Sequence, residues 1–211
     1  MKKHPVERLI EQGEGLHLDF KFEVSDAVKI ARSLVAFANT DGGKLLIGVK
    51  DNGVIRGIRS EEEFFMIDHA AHKYCKPEVK FSSKEWNIKG KKVLEITIPV
   101  SKTPPHRAPD KDGIFKAFIR CRDENLLASG VQMKIWKKHN SNQNISVTIE
   151  GDYKWLLEYL EENETITINQ FRSYAGISRH QAEDIISDLV VLDVLEMIFN
   201  QKEQIFSLQN L

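Results

Sequence analysis

The sequence has no long apolar run, and only two of its 211 residues are cysteines. Because a membrane-spanning helix needs roughly 20 apolar residues in a row, no membrane span and no membrane partner are expected. The first residues, MKKHPVERLI, are basic without an apolar segment behind them, so no secretory signal is predicted. Secreted folds of this size usually carry more cysteines, and Cys75 and Cys121 therefore indicate a reducing, cytoplasmic environment.

A strong excess of one charge is also absent, since the formal net charge is −1, but the charges are unevenly distributed. Residues 1–149 contain 26 Lys and Arg against 19 Asp and Glu, a net charge of +7. Residues 150–211 contain 4 against 12, a net charge of −8. The basic part suits a nucleic-acid partner, DNA in the first place, and the acidic part would repel phosphates. The opposite charges would also allow the acidic part to dock on the basic one, within one chain or in a homodimer.

Hydrophobic periodicity predicts the first strand and the first long helix. Residues 16–24, LHLDFKFEV, alternate between apolar and polar side chains, which indicates a half-buried strand with Asp19 and Lys21 on its polar face. The next segment begins with a helix cap, Ser25 or Asp26, and continues with the apolar stripe of a helix that packs on a sheet.

The glycines in FANTDGGKLLIGVKDNG, residues 37–53, could form a phosphate-binding loop or a turn. A phosphate-binding loop places its glycines between a strand and the N-terminus of a helix, whereas these follow a helix and precede a strand. Gly42 and Gly43 are therefore predicted to end the helix in a left-handed turn and to begin a strand over residues 44–49. Asp51 belongs to the hairpin turn that follows.

The remaining pattern predicts an α+β fold, a mixed sheet with packed helices, in residues 1–138. Its further elements are a helix, a hairpin, a Pro-rich loop, a strand and a closing helix, predicted over residues 61–76, 79–100, 101–113, 114–122 and 129–138. Residues 139–149 are polar and predict a linker. In residues 150–211 three helices precede two strands, which is the order of a small winged-helix domain.

Three carboxylates are candidate metal ligands and catalytic residues. Glu14 precedes the first strand, Asp19 lies on its polar face, and Asp51 follows the strand that the glycines begin. If the two strands are neighbours, these side chains would converge and could bind Mg²⁺ or Mn²⁺, which prefer oxygen ligands. Lys21 would share that face and could pair with a scissile phosphate. The same residues also fit a solvated strand edge and a turn aspartate, with no metal or other cofactor.

A basic strip with an aromatic residue is the second candidate site. Basic and aromatic side chains alternate along one predicted strand and would share one face: Lys116, Phe118, Arg120 and Arg122. Arg107, in the Pro-rich loop, could extend this strip. Such a mixture contacts phosphates and stacks on bases. An ordinary solvent-facing strand accounts for the pattern equally well.

Two other patterns are weaker. His69, His72 and Cys75 recur at intervals of three, but this spacing turns Cys75 away from His69, so a core cysteine in an amphipathic helix is the better interpretation. Arg179 lies at the start of the third helix of the winged-helix segment, where base edges would be met. Because acidic residues follow it in the same helix, a protein contact is the preferred role for this segment.

Several of these motifs together resemble the Alba-like domain, AlbA_2, of Schlafen proteins and of many bacterial transcriptional regulators. The family pattern is a Glu, then Glu-Phe-Lys, then Ala-Phe-Ala-Asn-Thr-x-Gly-Gly, then Ile-Gly-Val-x-Asp. The corresponding segments here are Glu14, DFK at residues 19–21, AFANTDGG at residues 36–43 and IGVKD at residues 47–51. The segment FIRCRDENLLAS resembles a further family strand, and the likeness extends over about residues 8–138.

The resemblance implies two activities. Bacterial members are described as DNA-binding and are paired with a helix-turn-helix module, which implies a transcriptional regulator here. In vertebrate Schlafens the equivalent carboxylates cleave RNA with a divalent metal, which would assign that role to Glu14, Asp19 and Asp51. Asp19 stands where the family has glutamate, and its shorter side chain would displace the carboxylate, which weakens the nuclease interpretation. Nucleic-acid binding is therefore the leading prediction, with a metal-dependent nuclease as the alternative.

Overall fold

The computed structural model describes residues 3–141, 145–199 and 203–209. The chain divides into two compact units, Met1–Ala128 and Ser129–Leu211. The elements of the first unit are α1 (Pro5–Gln12), β1 (Leu18–Lys21), α2 (Ala27–Asn39), β2 (Gly43–Ile47), α3 (Glu62–Lys73), β3 (Ser82–Ile88), β4 (Lys91–Ile98), β5 (Arg107–Pro109), β6 (Phe115–Cys121) and β7 (Glu124–Leu127). Within the described ranges, no helix has the length and apolar character that crossing a membrane requires. The predicted α+β class is confirmed.

The first unit contains a four-stranded mixed sheet in the order β1-β2-β4-β3. β1 and β2 are parallel, with Leu18 opposite Lys44 and Lys21 opposite Ile47, so they are neighbours, as the carboxylate hypothesis requires. α1 covers one face of the sheet around Val6, which packs among apolar side chains of β1 and β2. The helices α2 and α3 cover the opposite face.

α2 is buried on almost all sides. It packs against the four-stranded sheet on one side and against a second sheet, in the order β5-β6-β7, on the other. From Ile30 to Asn39 every side chain except that of Arg32 is buried. The sequence predicts a single apolar stripe because Ser33 and Asn39 count as polar, yet both find hydrogen-bond partners inside the unit. α2 therefore lies between two sheets, whereas the sequence predicts a helix that packs on one.

The double glycine after α2 forms a structural turn. Gly42 has a φ of +69°, in the left-handed region that glycine adopts without strain, and its N–H donates to the carbonyl of Phe37 at 2.9 Å. A Cβ atom at Gly43 would lie 2.4 Å from the buried ring of Phe37. The two glycines thus permit a close approach of α2 and β2, as the turn interpretation predicts.

The second unit contains α4 (Gly130–Asn140), α5 (Gly151–Glu162), β8 (Ile166–Thr167), α6 (Ile168–Ala175), α7 (Arg179–Val191), β9 (Leu195–Phe199) and β10 (Gln204–Leu208). Its sheet has the order β8-β10-β9. Leu156, Phe171 and Ile186 are fully buried in its core. The three helices and two strands predicted for residues 150–211 are present, and β8 is an additional short strand.

The position of α4 differs from the prediction, which ends the first domain at residue 138. In the structure α4 belongs to the second unit and packs against α7. Lys134 lies 2.5 Å from a carboxylate oxygen of Asp184, and Lys138 lies 2.7 Å from one of Asp188. The basic helix is thus held by the acidic face of α7, an attraction that the local pattern of α4 does not reveal.

This boundary reduces the charge contrast between the two parts. Residues 1–128 contain 23 Lys and Arg against 19 Asp and Glu, a net charge of +4. Residues 129–211 contain 7 against 12, a net charge of −5. The first unit remains basic, but less so than the predicted +7 over residues 1–149.

Candidate nucleic-acid interface

Several polar groups surround the buried side chain of Arg120 in the first unit. The guanidinium of Arg120 donates to the carbonyls of Gly15 at 3.1 Å and Leu18 at 3.3 Å, and to the side-chain oxygen of Asn125 at 3.1 Å. It also lies 3.5 Å from a carboxylate oxygen of Asp19. Arg120 therefore ties β6 to β1, and its many partners satisfy a buried charge. We call this group the Arg120 cluster: Glu14, Asp19, Arg120 and Asn125.

Glu14 and Asp19 are brought together, as the carboxylate hypothesis predicts. Glu14 accepts a hydrogen bond from the N–H of Phe20 at 2.8 Å, and Asp19 pairs with Lys21 at 2.7 Å. Burial and the adjacent Asp19 carboxylate raise the pKa of Glu14, while the Phe20 N–H opposes this shift. The prediction that Asp19 lies on a solvated face is wrong: it is 4% exposed, because β6 brings Arg120 against it.

Asp51 does not join this pair. The N–H of Gly48 donates to the carbonyl of Lys21 at 2.8 Å, so Gly48 is the neighbour of the end of β1, and Asp51 lies further along in an exposed turn. No group of three or more His, Cys, Asp or Glu side chains in residues 3–141, 145–199 and 203–209 is placed to hold a metal ion. The residues present therefore do not fit the predicted site for Mg²⁺ or Mn²⁺.

An open cleft of about 470 Å³ lies beside the Arg120 cluster. It is lined by Lys21 from β1, by Lys29 and Arg32 from α2, and by residues of the β6–β7 turn. Lys29 is exposed, and Lys21 and Arg32 are partly exposed, so all three are accessible from solvent. The buried side chains of Asp19 and Arg120 also line it. We call this surface the basic cleft and define it by its solvent-accessible charged side chains, Lys21, Lys29, Arg32, Asp123 and Glu124.

The sequence did not single out Lys29 and Arg32, although a signal was available. They are three residues apart on a helix that is otherwise largely apolar, and residues at this spacing share one helix face. Arg32 is held in place, since its Nε donates to the carbonyl of Pro109 at 2.8 Å and its guanidinium lies 5.9 Å from the ring of Phe118. Because such a group is oriented in advance, it is suited to binding an anion.

The predicted basic strip is divided by burial. Phe118 and Arg120 face α2 and are buried, so they cannot stack on bases or contact phosphates in this structure. β6 forms where a strand was predicted, but residues 117–120 are all buried, and the face that was expected to meet solvent packs on α2 instead. Other members of the strip are exposed, and these are Arg107, Lys116 and Arg122.

The Asn-Thr pair of the AFANT motif also has a structural explanation. The side-chain amide of Asn39 donates to the carbonyls of His106 at 2.8 Å and Phe118 at 2.9 Å, and its oxygen accepts from the N–H of His106 at 2.7 Å. The hydroxyl of Thr40 accepts from the N–H of Arg120 at 2.9 Å. The motif thus attaches the second sheet to the end of α2, which places Arg120 beside the basic cleft.

The remaining candidates lie elsewhere. Cys75 is buried, its thiol donates weakly to the carbonyl of Ala31, and burial raises its pKa to about 12. This agrees with the interpretation of a core cysteine. In the second unit, Arg179 is exposed and its Nε donates to Glu183 at 2.9 Å, so a neighbouring acid offsets its charge.

The family model described as Schlafen, AlbA_2 matches residues 14–129, more than half of the chain. The chain belongs to this family. The match ends close to the boundary between the two compact units, so the AlbA_2 domain corresponds to the first unit.

Two solved structures are similar to parts of the chain. The DIP2311 protein from Corynebacterium diphtheriae matches with a TM-score of 0.46 and 19% identity, over 62% of this chain and 28% of that protein. The N-terminal domain of a RecG-related protein from Nitrosomonas europaea matches with a TM-score of 0.38 and 18% identity, over 69% of this chain and 96% of that domain.

Proposed function

We propose that the AlbA_2 domain binds nucleic acid through the basic cleft, and that the protein acts as a DNA-binding transcriptional regulator. The observation that carries this proposal is the placement of Lys21, Lys29 and Arg32 at one open cleft of the Schlafen, AlbA_2 domain. Three cations at one site bind neighbouring phosphates and release their counterions. The net charge of +4 on residues 1–128 supports the same partner class.

The arrangement of the cleft suggests what each basic residue contributes. Arg32 is held by Pro109 and presents an oriented guanidinium, while the exposed Lys29 can adapt to the path of a backbone. Lys21 is paired with Asp19, so it contributes a weaker field. Arg120 supports the cleft from within and has a positioning role.

The second unit is proposed to be a winged helix that contacts protein. The order α5, β8, α6, α7, β9, β10 and the three-stranded sheet support the winged-helix assignment. At the start of α7, Arg179 pairs with Glu183 and His180 lies 2.9 Å from Asp184, so acids accompany the cations that would meet DNA. Arg179→Ala in the full chain is expected to leave nucleic-acid affinity unchanged.

The proposal is tested by fluorescence anisotropy with a labelled duplex and a labelled single strand at low salt. The double variant Lys29→Ala, Arg32→Ala is expected to bind roughly tenfold more weakly than the wild type. Lys92→Ala is the matched control, because Lys92 is an exposed lysine of β4 outside the cleft. If wild type binds neither probe at low salt, or if both variants lose affinity equally, the basic cleft is not the interface.

A further inference from the structure

Phe22 is an exposed aromatic side chain that directly follows Lys21, a residue of the basic cleft, in the chain. The sequence pattern assigns it to the apolar face of the first strand, but β1 ends at Lys21 and Phe22 lies beyond it. Its exposure is 36%, whereas Phe20, two positions earlier, is fully buried. A flat apolar ring thus meets solvent immediately after a residue that lines the cleft.

Two cations lie against the ring of Phe22. The ammonium nitrogen of Lys50 is 5.5 Å from the ring centroid, and the guanidinium carbon of Arg59 is 5.7 Å from it. Both distances are within the range of a cation–π contact. The side chain of Arg59 is 72% exposed and also contacts Glu23 at 2.9 Å. We call this surface the Phe22 platform: Phe22, Lys50 and Arg59.

The backbone fixes the platform although its residues are distant in sequence. The N–H of Val49 donates to the carbonyl of Lys21 at 3.3 Å, which brings Lys50 alongside Phe22. The N–H groups of Arg56 and Gly57 donate to the carbonyl of Gly48 at 2.8 and 2.9 Å, which returns the chain towards Arg59. The three side chains are therefore assembled by hydrogen bonds of the strand ends.

We propose that the Phe22 platform stacks on an unpaired base of a single-stranded nucleic acid whose flanking phosphates bind Lys50 and Arg59. A nucleobase can stack on an aromatic ring that is accessible to solvent once a cation over that ring moves away, and the cation can then contact the backbone on either side of the base. Inside a duplex the bases are already stacked on one another, so the ring has no base face to meet there. This inference rests on the proposed function and specifies it: the preferred ligand is a strand with an exposed base.

Lys21, which lines the basic cleft, directly precedes Phe22 of the platform in the chain. A strand that follows both surfaces would contact the cations of the cleft with its phosphates and place a base on Phe22. The cleft supplies affinity that depends on salt, and the platform supplies the preference for unpaired bases.

The experiment compares three labelled probes with the full-length protein: a short oligothymidylate, an abasic oligomer of equal length and a blunt duplex. The uridylate counterpart, as a fourth probe, distinguishes RNA from DNA. Wild type is expected to bind the base-bearing strands more tightly than the abasic oligomer and the duplex. Phe22→Ala is expected to weaken binding of the base-bearing strands by roughly 5- to 100-fold and to leave binding of the abasic oligomer unchanged.

Two further variants complete the test. Phe65→Ala is the matched control, because Phe65 of α3 is 64% exposed and lies outside the platform. Phe22→Leu retains an apolar side chain without a flat ring and is expected to behave like Phe22→Ala, with an unchanged melting temperature. Salt-dependent binding of all probes with no effect of Phe22→Ala would overturn the platform and leave the proposed function standing. Absence of binding to every probe at low salt would overturn both.

Discussion

Two groups of basic side chains in the AlbA_2 domain carry the same charge in different environments. Arg120 is buried and its guanidinium is surrounded by acceptors, whereas Lys29 and Arg59 extend into solvent. A buried charge must be satisfied by the protein itself, while an exposed one can exchange its counterions for the phosphates of a ligand. The first group therefore stabilises the fold and the second is suited to binding. Burial, rather than charge or spacing, separates the two roles.

Removal of Arg120 is expected to have the largest effect. Arg120→Ala would remove one hydrogen bond from each of the carbonyls of Gly15 and Leu18 and weaken the compensation of the buried Asp19 carboxylate. The free energy of unfolding is expected to fall by about 3–5 kcal/mol, measured by urea denaturation followed by circular dichroism. Arg122→Ala, in the exposed turn after β6, is the control and is expected to change it by less than about 0.5 kcal/mol. Equal losses in both variants would contradict the structural role of Arg120.

Replacement of Asn39 is expected to lower the free energy of unfolding somewhat less than replacement of Arg120. Asn39→Ala would leave buried backbone groups of His106 and Phe118 without their side-chain partner. A loss of about 2–4 kcal/mol is expected in the same denaturation experiment, because unpaired buried polar groups are unfavourable. Asn52→Ala, in an exposed turn, provides the comparison, with a loss below about 1 kcal/mol. Full stability of Asn39→Ala would show that the two sheets are held to α2 by other contacts.

Removal of the acidic charges at the basic cleft is expected to have a smaller effect, which is an increase in nucleic-acid affinity. Asp123 and Glu124 are exposed and line the cleft with the cations. The double variant Asp123→Asn, Glu124→Gln is expected to bind an oligonucleotide roughly two- to fivefold more tightly at low salt. The difference is expected to shrink as salt is raised, because exposed charges are screened. Unchanged or weaker affinity at low salt would place the nucleic acid outside the cleft.

The smallest effect concerns the pH dependence of stability. Burial and Asp19 raise the pKa of Glu14 in the folded state. A group with a raised folded pKa contributes stability that is present at low pH and is lost as pH rises through that value. Glu14→Gln, which keeps an acceptor for the N–H of Phe20, is therefore expected to gain on the wild type as pH rises.

The gain of Glu14→Gln is expected to be small and to appear between mildly acidic and neutral pH, because solvent screens a partly exposed carboxyl. Melting temperatures of both proteins across this range provide the measurement. A difference that is constant with pH, or that favours the wild type at neutral pH, would contradict the raised pKa of Glu14.

Much of the fold follows from local sequence. The turn at Gly42, the hairpin of β3 and β4 and the helices of the second unit were predicted because their signals lie within a few residues. α1 was missed although Pro5 at its start and the His4–Glu7 capping pair were available signals. β7 and β8 were missed because such short strands give little periodicity, and β5 lies in the segment that was assigned to a Pro-rich loop.

Less of the candidate site than of the fold could be predicted from the sequence. The sequence predicts that Glu14, Asp19 and Asp51 converge, and only Glu14 and Asp19, which lie around one strand, come together. The burial of Arg120 depends on the N–H bond of Arg120 to Thr40 and on the packing of β6 against α2, which are interactions over a long sequence separation. The Phe22 platform likewise joins three segments. Periodicity identifies which residues share a face of a strand, but the partner of that face is set by tertiary packing.

The central claim is that exposed cations of the AlbA_2 domain bind a nucleic-acid backbone. Its most direct test is the affinity of the full-length protein for a single-stranded oligonucleotide, measured over a series of salt concentrations. The logarithm of the association constant is expected to fall linearly with the logarithm of the salt concentration, with a slope of about −2 to −3 for contacts to several phosphates. Lys29→Ala, Arg32→Ala is expected to make this slope shallower by roughly 1 to 2. A slope near zero in the wild type, or the same slope in both proteins, would contradict the claim.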